Sequence, residues 1–257
     1  MRPPARQASP SSSPTEDRGA LPRSPEDCLG AAATGRLLAA LGAVFVLLTI
    51  AVAVDFGPSS RLDHAVAQWG YDRTFEKDAL VSWWSGVSRW GAPWVLRLAL
   101  VAAAVVQLWR RRIGLAVWLV LVAAAENVVA PAVKHVLSRP RPEWDNPIAV
   151  EHSLSYPSGH SAAAGMFVTA FTLLIVVTVR RKAARRLLVG TVVSIGLLVA
   201  SSRIFLGVHY LTDVTAGLVL GAAIALLGWW VLVRGAVAWR LPMWVRPDNG
   251  QIGQGGR

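Results

Sequence analysis

Six apolar runs constrain what this chain can become more than any other feature of it: Leu37 to Val54, Pro93 to Trp109, Ile113 to Val133, Ala162 to Val179, Leu187 to Leu206 and Val214 to Val233. A helix rises about 1.5 Å per residue and a bilayer's hydrocarbon core is about 30 Å thick, so each run has roughly the reach of one crossing. Helices are the only reading for six such runs, because an open sheet would leave backbone N–H and C=O groups unpaired in lipid. The expected architecture is all-α, an integral membrane bundle of six transmembrane helices formed by residues 36–234. Composition agrees, since 16% of residues are charged whereas about 25% is usual for soluble domains.

The flanks read differently. Residues 1–35 are rich in Pro, Ser, Ala and charge, a composition that buries too little apolar surface to offset chain entropy, and a disordered cytoplasmic tail is expected there. That stretch is too long and too polar for the front of a cleavable signal peptide, so the first apolar run reads as a retained anchor. Residues 235–257 read as a second cytoplasmic tail. The net charge of +11 does not point to nucleic acid, because the basic residues gather in short blocks between apolar runs, which is how membrane orientation is encoded. Arg36, Arg110 to Arg112, Arg180 to Lys182, Arg185, Arg186, Arg234 and Arg240 fall on one side, and most acids, including Asp55, Asp63, Asp72, Glu143, Asp145, Glu151 and Asp213, on the other. By the positive-inside rule both termini are cytoplasmic, in a plasma (inner) membrane protein whose candidate site is extracytoplasmic. Cys28 is the single cysteine, which excludes an intramolecular disulfide and a zinc site of the usual Cys/His kind.

Between the first two runs, residues 55–92 form an outer segment, and Leu80 to Trp90 within it reads either as an interfacial helix that steers a lipid or as a plain connector. Trp83, Trp84, Trp90 and Trp94 fit an outer aromatic belt, with Trp109, Trp229 and Trp230 near the inner one.

Three clusters of chemistry-bearing residues lie at the outer ends of the runs. Lys134 closes the third run, and Ser138-Arg139-Pro140-Arg141-Pro142 then leaves the helix, because two prolines cannot continue it. A lysine point charge and arginine forks suit a phosphate, although such cations are also ordinary at membrane boundaries. In Pro157-Ser158-Gly159-His160, Ser158 can cap the fourth run, Gly159 permits close backbone approach, and the free N–H groups of that helix start favour an anion. A lone histidine at a span end is commonly just interfacial. His209 and Asp213 are four apart, so one helical turn sets the carboxylate beside the imidazole, where it can hold Nδ1–H and leave Nε2 free to attack. A structural His–Asp pair at a helix start has the same spacing, but it gives no reason for Arg203 six residues earlier. Glu143, Asp145 and Glu151 read as solvated loop acids, Arg139 as an extra headgroup contact, and Glu126 with Asn127 as support inside the third run. His64, His135 and His152 have no partner at a telling spacing.

Lys134 with six residues to Arg141-Pro142, then Pro157-Ser158-Gly159-His160, then Ser202-Arg203 with five residues to His209 and three more to Asp213, resembles the three-part signature of the type 2 phosphatidic acid phosphatase superfamily, to which vanadium-dependent haloperoxidases are related. No position departs from it. The resemblance implies a metal-independent phosphatase without cofactor. In it His209 would be the nucleophile that forms a phosphohistidine, Asp213 would orient it, and His160 would protonate the leaving oxygen and later activate water. Lys134, Arg141, Arg203, Ser158 and Gly159 would bind the phosphoryl oxygens. The implied partner is a membrane lipid phosphate or diphosphate: polyprenyl diphosphate, phosphatidic acid or phosphatidylglycerophosphate. A phosphotransferase using the same site is the alternative enzyme. A transporter or non-catalytic anion binder fits less well, because the charges cluster at one end of the runs.

Overall fold

In the computed structural model the described residues, 31–239, form eight helices and the segments that link them, the longest being 138–158, with no strand among them. The elements are α1 (Ala31–Ala53), α2 (Gly57–Thr74), α3 (Asp78–Trp90), α4 (Pro93–Trp109), α5 (Ile113–Leu137), α6 (Gly159–Thr178), α7 (Lys182–Phe205) and α8 (Leu211–Trp239). Local chemistry sets their ends. Proline in the first turn opens α2 and α4, where a missing N–H does no harm. Ser138 stops α5 in the left-handed region, with φ 48°, and the prolines at 140 and 142 prevent its resumption.

Five helices are long and apolar enough to span a bilayer: α1, α5, α6, α7 and α8. The sixth expected span needs a correction, since α4 alone has 17 residues and passes only together with α3, to which it is joined by a 43° bend. Gly91, Ala92 and Pro93 make that bend. The first helix starts at Ala31, inside the stretch expected to be tail, and α8 runs on to Trp239. Of the tails expected at 1–35 and 235–257, residues 1–30 and 240–257 lie outside the described residues.

The segment 55–92 forms two helices, α2 and α3, packed on the bundle; α3 contains Leu80 to Trp90, so that stretch is a helix and not a plain connector. Trp84 of α3 stacks on Phe205 at 4.4 Å, and a Cβ at Gly91 would lie 2.2 Å from Val199. Trp90 and Trp94 are exposed, as belt residues should be, whereas Trp229 is buried against Trp118 in the core. An indole hydrophobic enough to anchor is also large enough to fill a core, and its sequence position does not choose between them.

The centre of the bundle is α6, whose Ala162, Ala163, Ala164, Met166 and Ala170 are fully buried. Small residues let α6 and α8 touch backbone to backbone, as helices in lipid often do. A Cβ at Gly221 would sit 1.8 Å from the carbonyl oxygen of Ala162, and one at Gly217 2.5 Å from that of Ser158. This seam brings the start of α8 against the start of α6, and Ser158 N–H donates to the Asp213 carbonyl at 3.0 Å. Alternating helix direction places the ends of α5 and α7 on that same side.

Candidate active site

One cavity of about 210 Å³ is lined by Lys134, Arg141, Gly159, His160, Arg203 and His209, residues from all three sequence clusters. Lys134 comes from the last turn of α5, His160 from the first turn of α6 and Arg203 from the last turn of α7. His209 stands in the short link before α8, next to Gly207, whose φ of +67° turns the chain there. A side chain at Gly207 would strike Trp144, whose Nε1–H donates to the Gly207 carbonyl at 2.7 Å.

The geometry at His209 fixes its tautomer. Arg141 Nη1 lies 2.9 Å from Nε2, and a guanidinium only donates, so Nε2 carries a lone pair and the proton is on Nδ1. Nδ1 faces Asp213 Oδ2 at 3.4 Å and Ser155 Oγ at 3.3 Å. Burial pushes the imidazole down to about 4, against the opposing pull of the Asp213 carboxylate. A neutral ring whose Nε2 lone pair is held by Arg141 at the wall of a cationic cavity is a competent nucleophile once that hydrogen bond yields to phosphorus.

The Asp213 carboxylate is fully buried and surrounded by donors. Oδ2 accepts from Ser155 Oγ and from Tyr210 N–H at 3.0 Å, and Oδ1 accepts from Arg139 Nη1 at 2.7 Å. Arg139 in turn gives Nη2 to Asp63 Oδ2 at 2.8 Å and lies 4.2 Å above the Tyr210 ring. Asp63, on α2, also accepts the Thr212 N–H at 2.8 Å and is itself buried. Arg139 is therefore not a headgroup contact, as its place beside the prolines implied. It is the middle of an acid–base–acid chain behind the histidine, and although burial disfavours its charge, Asp213 and Asp63 hold its pKa above the ordinary value.

The cations facing the cavity are held by the protein. Lys134 Nζ donates to the Leu154 carbonyl at 2.6 Å. Arg141 donates to the Ser153 carbonyl through Nε at 2.6 Å and to the Val208 carbonyl through Nη1 at 2.7 Å. Arg203, 2% exposed, gives Nη1 to Ser88 Oγ and Nη2 to Glu151 Oε1, both at 2.6 Å, while its Nε has no partner among the described residues. Glu151 thus corrects the reading of a solvated loop acid: burial works to raise its pKa, but the charges of Arg203 and Arg141 bring it below the usual carboxylate value. His160 Nε2 lies 3.4 Å from Ser88 Oγ. Ser158 is buried and does not line the cavity. Its Oγ accepts the Ser161 N–H at 3.4 Å as the cap of α6, so the α6 residues at the cavity wall are Gly159 and His160.

Sequence reasoning passed over Asp63, Ser88, Arg97 and Ser155. All but Ser155 sit on α2, α3 or α4, far in sequence from the signature. A hint existed for Asp63, an acid on a helix whose other charges face solvent. Glu126, expected as support, pairs with Arg97 Nε at 2.6 Å, and both line the cavity. Among the described residues no group of three or more His, Cys, Asp or Glu side chains is placed to hold a metal ion.

Comparison with known proteins agrees with the motif spacing. The family model described as PAP2 superfamily matches residues 115–235, which contain Lys134, Arg141, His160, Arg203, His209 and Asp213. Over those residues, a little under half of its length, the chain is similar to the PAP2 superfamily. Phosphatidylglycerophosphatase B of Bacillus subtilis (strain 168) is 28% identical to it over 138 residues, 53% of this chain and 68% of the relative. The crystal structure of a transmembrane PAP2-type phosphatidylglycerolphosphate phosphatase from Bacillus subtilis superposes with a TM-score of 0.61 at 23% identity, over 77% of this chain and 96% of that one. LpxE from Aquifex aeolicus superposes with a TM-score of 0.51 at 20% identity, over 68% and 96%. The likeness in fold to the first of these structures therefore reaches beyond the matched region into part of α1–α4, which carry Asp63, Ser88 and Arg97.

Proposed function

We propose that the protein is an integral membrane lipid phosphatase that hydrolyses a phosphate or diphosphate ester through a phosphohistidine, without a metal, at the outer face of the plasma (inner) membrane. The observation that carries this reading is His209, with its Nε2 lone pair turned towards Arg141 inside the cationic cavity and its Nδ1 turned towards Asp213.

Nε2 of His209 attacks phosphorus, and the bond to the lipid oxygen breaks on the opposite side. Lys134, Arg141, Arg203 and the N–H groups at the start of α6 hold the equatorial oxygens, whose charge these donors stabilise in the transition state. His160 gives its proton to the departing oxygen. Water then loses a proton to His160 as it attacks the phosphohistidine, releasing inorganic phosphate and restoring both rings. Such a cavity, with its cations at the outer ends of the spans, lets the lipid tail remain in the bilayer. Polyprenyl diphosphate, phosphatidic acid and phosphatidylglycerophosphate are the candidate substrates. The activity for which the Bacillus subtilis relative is named, phosphatidylglycerophosphatase, lies within that set.

The test is phosphate release from these three lipids by the purified full-length protein in excess EDTA. Release is expected to persist with chelator and to be inhibited by vanadate. Activity lost to EDTA and restored by Mg²⁺ would overturn the metal-free mechanism.

A further inference from the structure

Arg97 and Glu126 form an ion pair inside the membrane span, at 2.6 Å, and both line the cavity that holds His209. Charge at this depth is costly and has to be explained. A tie serving only to join α4 to α5 should close on itself, with both carboxylate oxygens satisfied. This one does not. Glu126 is fully buried, yet its Oε1 has no hydrogen-bond partner among the described residues. Arg97 uses Nε for Glu126, its side chain remains 23% exposed, and neither Nη finds an acceptor among the described residues.

Position gives the pair a direction. Glu126, Ala130 and Lys134 follow one another four residues apart on the cavity-facing side of α5. Glu126 is thus about 12 Å further along the axis than Lys134, at about 1.5 Å per residue, towards the middle of the bilayer. A lipid whose terminal phosphate reaches His209 must run its headgroup back towards its tail along this wall.

We infer that Arg97, fixed by Glu126, is a subsite for a second phosphate, one step closer to the lipid tail than the phosphate that is cleaved; this rests on the phosphatase reading above. The pair is neutral overall, so it adds directed donors to an anion that Lys134, Arg141 and Arg203 already attract. Two Nη groups in a fork suit two phosphate oxygens. The second phosphate is either the inner phosphate of a lipid diphosphate or the phosphodiester of a phosphoglycerol headgroup. Phosphatidic acid has neither.

The experiment measures kcat/KM of the purified full-length protein in two substrate pairs, polyprenyl diphosphate against polyprenyl monophosphate, and phosphatidylglycerophosphate against phosphatidic acid. The wild type is expected to favour the two-phosphate member of at least one pair by about ten-fold or more, mainly through KM, the scale of one charge-assisted fork. In Arg97→Gln that ratio is expected to fall towards one. The pair in which it falls identifies the source of the second phosphate. Because Arg97→Gln leaves Glu126 buried without its cation, the double variant Arg97→Leu/Glu126→Leu provides a folded comparison, since an apolar pair often replaces a buried ion pair without loss of stability. It should show the same collapsed ratio. A wild-type ratio near one in both pairs, or a ratio that survives in the double variant, overturns the subsite while leaving the phosphatase intact. No phosphate from any of the four lipids would instead remove the phosphatase reading itself.

Discussion

The two histidines near the cavity are chemically unlike, and variants should separate them. His209→Ala is expected to abolish both turnover and any acid-labile label trapped from a labelled activated phosphate ester, because the other nucleophile beside Arg141, the Ser153 hydroxyl, would give an acid-stable ester. His160→Ala should still take up label from such an ester, which needs little help in leaving, and should hold it longer for want of a base. Label on His209→Ala would show that the nucleophile is elsewhere. The pH dependence follows from burial. His209, pushed down to about 4, stays neutral from pH 7 to 5, so the limb of phosphoryl transfer that reports its protonation should fall with a midpoint near 4 rather than near the ordinary 6.5. Stability runs the same way: the unfolded chain takes up this proton below about 6.5 and the folded one resists until about 4, so His209's contribution is whole above the first value and lost through the second. Titration of both the rate and the unfolding midpoint in detergent checks the pair of statements. Asp63, whose hydrogen bonds among the described residues go to Arg139 and Thr212, should act by position, and Asp63→Asn is expected to lower kcat by about ten-fold with KM little changed. A matched loss in KM would mean that it merely holds the cavity together. His209, Asp213 and the cations were legible in the sequence because their types and local spacing match the three-part signature, although His209 stands in the link before α8 and not in the helical turn expected for it. Asp63 and Ser88 were not, since which face of a helix turns inward depends on a partner more than 75 residues away, with |i−j| of 76 for Arg139–Asp63 and 115 for Arg203–Ser88.

At the scale of elements, the α6–α8 seam carries the register of the site. Gly221→Ala would press a Cβ to 1.8 Å from the Ala162 carbonyl, and since backbone cannot rotate away, the helices must separate. Overpacking of this kind costs about 1–3 kcal/mol, and here it also drags Asp213 from Ser158 and His160. A lower unfolding temperature together with lost activity is expected. Gly42→Ala on α1 meets nothing within 4 Å and should leave both unchanged, which makes it the control for adding a methyl to an apolar span. Hydropathy made the spans readable because every backbone polar group in lipid must be satisfied within its own helix. It could not reveal that α4 is completed by α3, because Asp78 to Trp90 mixes polar and apolar residues and reads as interfacial until its packing on α7 is known.

For the whole molecule, the basic ends of the helices lie opposite the cavity, at Arg110–Arg112, Arg180–Arg186 and Arg234. Reporter fusions after Arg112 and Arg186 are therefore expected to read cytoplasmic, and one near Glu151 exterior. A cytoplasmic signal at Glu151 would put the cavity on the wrong face for an outer-leaflet substrate. The contacts that cross from α2, α3 and α4 to the later helices, Asp63 to Arg139, Ser88 to Arg203 and Arg97 to Glu126, also bear on the order of synthesis. A chain made from its amino terminus has Asp63, Ser88 and Arg97 in place before the matched region at 115–235 is begun. Arg139 and Ser155 follow, and Asp213, a fully buried acid of the site, is translated after each of the described groups that donate to its side chain. The nascent protein thus never has to keep that carboxylate in a dry interior awaiting partners not yet made, and the final helix to emerge is the one that closes the catalytic centre.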